Sequence, residues 1–146
     1  MERLKRQYEL VRINSTDPDK ALDFCLTAWS LADWLFYEKV SQGMILIQSQ
    51  NHGPEKRVFR EPLFLQCPDL RIMHDIANGT KHFELTSPKT NVSSIEVKEH
   101  AAFNKGFSFG FNRPGIKITF DTGEQHILNI IIKNVWKFWN SHITTP

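Results

Sequence analysis

The sequence predicts a single α+β domain, on the strength of three stretches that differ in hydrophobic period. Up to about residue 83 apolar side chains recur at three- and four-residue intervals. From about 91 to 127 they alternate, and from about 128 to 142 the helical interval returns. Helices, then a small sheet, then a closing helix describe a bundle-like helical core with an antiparallel β-meander set before the last helix. A chain of 146 residues suits one domain, 1–146, able to bury roughly two-thirds of its unfolded surface without metal or disulfide staples.

Met1 to Ile13 reads as a short helix, with Leu4, Tyr8 and Val11 on one face. Asn14-Ser15-Thr16-Asp17-Pro18 then supplies a start signal. Asp17 serves as N-cap, and Pro18 takes the first helical position, where its missing N–H costs nothing. The helix that follows, Asp19 to about Val40, carries two apolar stripes, Leu22-Cys25-Trp29-Ala32-Phe36 and Phe24-Ala28-Leu31-Leu35, and should be central. Asp33 interrupts it; a buried carboxylate there needs a partner such as Arg71 or a histidine, and an unburied one faces water. Ser41-Gln42-Gly43 marks the stop. Met44 to Ile47 fits either a final apolar turn or a short strand, and Asn51-His52-Gly53-Pro54 fits a loop. From Glu55 to Gln66 the apolar spacing is helical, but Pro62 removes an interior hydrogen bond, which predicts two short pieces.

Beyond Phe83, Ser93 to Lys98, Phe107 to Phe111 and Ile116 to Phe120 alternate as half-buried strands do. Turn chemistry separates them at Asn112-Arg113-Pro114-Gly115, and Asp121-Thr122-Gly123-Glu124 follows the last. A brief strand, Gln125 to Ile127, leads into a last helix with Leu128, Ile131, Val135, Phe138 and His142 on one face. Trp29, Leu35, Ile76, Val135 and Phe138 are the expected shared core.

A formal net charge of +2 is too mild to argue for nucleic acid, although it leaves room for a local basic patch. Cys25 and Cys67 lack a CxxC spacing, so free, buried thiols in a reducing cytoplasm are expected. There is no signal-peptide pattern, and the longest apolar run, Ile127 to Ile132, is short and broken by Asn129. The expected location is cytoplasmic, with no membrane partner.

Polar residues are patterned rather than scattered in one place, Cys67 to Phe83. Read as a helix begun at Pro68 or Asp69, this segment places Arg71, Asp75, Asn78 and His82 within about 60° of arc. A cation, an anion, an amide and an imidazole thus share a face, with His74 and Lys81 along one border. Leu70, Ile72, Met73, Ile76, Ala77 and Phe83 are left to face the core. The ordinary explanation of such a stripe is the solvated side of an amphipathic helix. A face chosen for helicity favours Glu, Lys, Gln and Arg, however, and Asn, His, Asp and Gly79 are poorer helix formers. Gly79 either ends the helix as its C-cap, which takes His82 out of the stripe, or lies within it and lets another backbone approach.

No Gly-rich phosphate loop, GxSxG elbow or HExxH is present, and no cofactor is expected. Cys67, His74, Asp75 and His82 are metal-ligand types, but an eight-residue step between the two histidines is not a zinc spacing, and no metal is assigned. Cys67 precedes a proline with no histidine placed beside it, which argues against a nucleophile.

The run Cys67-Pro68 through Asp75-Ile76-Ala77-Asn78-Gly79-Thr80-Lys81-His82-Phe83, preceded by the Trp29 and Trp34 helix, resembles a group of uncharacterised bacterial and phage proteins with a CP-x-L…DIANGxKHF pattern. More distantly, a long helix followed by one bearing Arg, Asn and a terminal His is similar to HEPN-type domains of toxin–antitoxin and phage-defence systems. Many of these are metal-independent ribonucleases that act as dimers. HEPN nucleases set their Arg and His a few residues apart, whereas here two residues separate Arg71 from His74 and ten separate it from His82. The resemblance implies RNA as substrate and a homodimer or antitoxin-like protein as partner. In the enzyme reading His82 is general acid/base, Arg71 and Lys81 stabilise charge on the phosphorane, and Asp75 with Asn78 orients them, while His74 and Asp33 contribute to binding. In the alternative reading the same stripe is a structural hydrogen-bond network or docking face of a non-catalytic module. Burial and pairing of Asp75 favours the second, and an open basic-rimmed cleft the first.

Overall fold

The computed structural model describes residues 1–81, 92–98 and 115–144. Five helices, α1 (Glu2–Ile13), α2 (Pro18–Ser41), α3 (Gly53–Gln66), α4 (Asp69–Lys81) and α5 (Leu128–Thr144), accompany three strands, β1 (Val92–Lys98), β2 (Gly115–Phe120) and β3 (Gln125–Ile127). The chain is α+β, with the antiparallel sheet, order β1-β2-β3, set before the closing helix.

Local chemistry sets the boundaries of α2. Asp17 Oδ1 accepts from the Asp19 and Lys20 amides at 3.0 and 3.1 Å, and Pro18 opens the helix. At the other end Gly43, with φ +71°, lets its own amide reach Val40 O while the Met44 amide reaches Lys39 O at 2.9 Å. That pair of bonds is a Schellman stop. Between these ends α2 packs against α1, α3, α4 and α5. Its residues Phe24, Cys25, Ala28, Trp29 and Ala32 join Ile76, Ile116, Ile118, Val135 and Trp139 in one core, with Leu35 and Phe138 partly buried against it.

Two expectations are corrected. Pro62 does not split the segment into two pieces: α3 runs continuously from Gly53 to Gln66 with the proline inside it. The carbonyl deprived of its donor is that of Val58, an exposed residue, so water can serve it. Met44 to Ile47 forms neither a helical turn nor a strand, and leaves Met44 and Leu46 exposed. The loop beyond is held by Glu55, whose carboxylate accepts from the Gln48 and Ser49 amides at 2.8 Å each and from the Ser49 hydroxyl at 2.5 Å.

In the sheet β2 is central. It pairs with β1 from Val92↔Phe120 to Lys98↔Gly115, with a register shift between Val92 and Ser94, and with β3 from Lys117↔Ile127 to Thr119↔Gln125. Alternation buries Ile116, Ile118 and Phe120, and the strand packs on α5. The β2–β3 turn uses Gly123 at φ +83°, with Gly123 N–H bonded to Phe120 O. Asn129 joins three parts of the chain. From the first turn of α5 its Oδ1 accepts from the Ile116 amide at 3.0 Å, and its Nδ2 donates to Ser15 O at 2.9 Å. The strand expected at Phe107–Phe111 and the turn at 112–114 lie outside the described residues. Among the described residues no helix is long and apolar enough to cross a membrane.

Candidate functional site

Three helices meet at the site, and each presents residues at three- or four-residue steps. From α2 come Trp29 and Asp33, from α3 Arg57, Arg60, Glu61 and Phe64, and from α4 Arg71, His74, Asp75 and Asn78. Trp29, 4% exposed, is the hub. The Phe64 ring lies parallel to it at 5.9 Å, the His74 ring meets it edge-on at 4.5 Å, and the Arg60 guanidinium sits 4.5 Å from its centroid. Arg60 is also paired with Asp33. Arg71 reaches Glu61 at 3.5 Å and lies 5.3 Å from the Phe64 centroid. Each ion pair is monodentate through Nη2, and both Nε atoms are buried with no acceptor among the described residues.

His74 is clamped by its own helix. Its Nδ1 lies 2.8 Å from Asp75 Oδ1 and its Nε2 lies 2.8 Å from Asn78 Nδ2. With the Asn78 amide nitrogen turned toward the ring, the Nε2 lone pair accepts from it and Nδ1–H donates to the carboxylate. The imidazole is 12% exposed and the Asp75 carboxylate 0%. Trp29, Arg57, Arg60, Glu61, Phe64, His74 and Asn78 line a half-open cleft of about 250 Å³.

The structure redistributes the stripe expected on one face of α4. Arg71 reaches the junction with α3 through Glu61, His74 through Phe64, and Asn78 through the cleft it lines with residues of α2 and α3. Asp75 does not share that surface. Because α4 packs on α2, α3, α5 and β1, Asp75 is covered, 1% exposed, with its carboxylate against the His74 ring. Asp33 takes Arg60 as partner in place of Arg71 or a histidine. Gly79 lies within the helix, which continues to Lys81. The Lys81 side chain and all of His82 lie outside the described residues.

Sequence reasoning missed the α3 contribution. Arg57, Arg60, Glu61 and Phe64 recur at i, i+3, i+4 and i+7, the same signal that marked α4. The proline discouraged reading that segment as one helix face. Cys67, at the α3–α4 junction, is buried and free. Burial, and then the negative charge of Asp69, push its thiol up, away from the thiolate a nucleophile requires. Among the described residues no group of three His, Cys, Asp or Glu is placed to hold a metal ion.

No protein-family model matches this chain, no curated protein matches it, and no solved structure matches it.

Proposed function

We propose that this chain is a cytoplasmic, non-catalytic interaction module in which the polar stripe is a structural network and the cleft beside it is the recognition surface. The occupation of both His74 ring nitrogens by Asp75 and Asn78 carries this reading. A general acid/base needs a nitrogen open to the substrate, and here each is satisfied within the helix. The ion pairs Asp33–Arg60 and Arg71–Glu61 extend the network across α2–α3 and α3–α4, which suits a clamp.

A second reading has one observation in its favour. A buried carboxylate behind a histidine on the wall of a cleft with two arginines is also how an acid/base is oriented and a phosphorane's charge met. It corresponds to a HEPN-like, metal-independent endoribonuclease of the toxin–antitoxin or phage-defence type, acting on RNA as a homodimer. His74 then joins His82 as candidate acid/base once Asn78 swings aside.

One experiment separates the two. Purified protein is incubated with total RNA in the presence of chelator, and His74→Ala, Asn78→Ala and His82→Ala are assayed for cleavage and melting. The module reading expects no cleavage by wild type, with His74→Ala and Asn78→Ala losing about 1–3 kcal/mol because buried polar groups lose partners. Chelator-resistant cleavage abolished in a His74→Ala or His82→Ala protein of unchanged melting temperature would overturn it in favour of the ribonuclease.

A further inference from the structure

The cations that line the cleft are not all held in ion pairs among the described residues. Arg60 is matched by Asp33 and Glu61 by Arg71. Arg57 lines the same cleft from an exposed position and has no ion-pair partner among the described residues. A guanidinium without a partner presents a planar fork of N–H donors that a carboxylate fits with two parallel bonds. Phe64 and Trp29, each 4% exposed, supply the apolar part of a lining otherwise made by Arg57, Arg60, Glu61, His74 and Asn78. Size narrows the class further. A void of roughly 150 Å³ holds benzene, so a cleft of about 250 Å³ takes one ring with its headgroup and little more.

We propose that this cleft is a receptor site for a small carboxylate with a planar apolar body, its anion paired with Arg57 and its body packed on the Phe64 and Trp29 side. The proposal rests on the reading of the stripe as scaffold: His74 and Asn78, tied to each other, form a fixed wall of the cleft. Among the described residues Arg57 is the cleft cation without an ion pair, and a monoanion matches its single charge. A phosphate monoester, with a charge of about −1.5 to −2, exceeds it.

Benzoate is titrated into the full chain at low salt while the four Trp indole N–H resonances are followed by NMR. A saturable shift of the Trp29 resonance is expected, with Kd on the order of 1 mM. Arg57→Ala is expected to weaken binding at least tenfold, the scale of a lost charged hydrogen bond. Acetate, which lacks the ring, should bind at least tenfold more weakly than benzoate, and phenyl phosphate no more tightly. No saturable shift up to about 50 mM benzoate, unchanged affinity in Arg57→Ala, or acetate or phenyl phosphate outdoing benzoate would each overturn the proposal. Should Arg57→Ala melt early, Arg57→Lys keeps the charge without the fork and is expected to bind several-fold more weakly; equal affinity overturns the assignment. The scaffold reading falls on other data, RNA cleavage and the melting of His74→Ala. A folded, cleavage-inactive protein that ignores benzoate therefore sinks the ligand class alone.

Discussion

Replacing Trp29 by alanine tests the junction of α2, α3 and α4 most directly. The side chain is almost fully buried and touches an element on each side: Phe64 and Arg60 of α3, and His74 of α4. Truncating a buried Trp to Ala costs about 3–5 kcal/mol through lost transfer energy and the cavity left behind. The guanidinium–indole contact contributes about 0.5–2 kcal/mol. That contribution is already partly counted in the truncation, so the upper part of the 3–5 kcal/mol range is the expected loss. For a chain of this length it corresponds to a fall in Tm of roughly 10 °C or more. The assay is chemical denaturation followed by far-UV circular dichroism, with the m-value checked for constancy. Trp34→Ala is the internal control. It lies on the same helix but is 51% exposed, so its loss should stay within about 0.5 kcal/mol. A Trp29→Ala protein that loses less than about 1 kcal/mol, or no more than Trp34→Ala, would refute the placement of Trp29 at the hub.

Asn129→Ala should cost about 1–3 kcal/mol in thermal melts, since it strips partners from the Ile116 amide and the Ser15 carbonyl. Gly115→Ala places a Cβ 2.8 Å from Asn129 Oδ1 and should also destabilise; the double variant should lose less than the sum, and strict additivity would count against the contact. The Glu55 carboxyl is lowered from 4.5 to about 2, first by the Ser49 hydroxyl bond and then by the backbone bonds. Its contribution to the 48–55 loop is therefore complete above about 4.5 and lost as pH falls through about 2. The Gln48 and Ser49 amide shifts should titrate near the lower value and stop titrating in Glu55→Gln; a midpoint at 4.5 would contradict the bonds. Burial pushes the Cys25 thiol up to about 12, and Cys67 is raised as well. Both should resist a thiol reagent until denaturant is added, and rapid labelling of the native chain would be inconsistent with that burial.

Period and punctuation made most of the fold legible in the sequence. Asp17-Pro18 began α2, Gly43 ended it, Pro68-Asp69 began α4, and alternation at Ile116 to Phe120 gave β2 its buried face. These are local effects, decided within a turn or two of chain, and so they survive reading without a structure. The helical period of α4, Asp69–Lys81, was legible for the same reason.

Which members of the stripe act together was a tertiary decision. Arg71, Asp75 and Asn78 share an arc in sequence, yet packing of α2, α3, α5 and β1 around α4 buries Asp75 and leaves its neighbours at the α3 junction. Asp33 took Arg60 for a partner because α3 passes beside it, a proximity that helical spacing within α2 or α4 does not encode. Pro62 shows the same limit from the other side. Its missing hydrogen bond weighs against a helix locally, but the freed carbonyl lies on the solvent face while Leu63 and Phe64 are buried. The long-range burial of those two side chains outweighs the local loss. Local rules in this sequence determined where helices and strands begin, end and turn their apolar faces; only the meeting of those faces determined which charges are paired among the described residues.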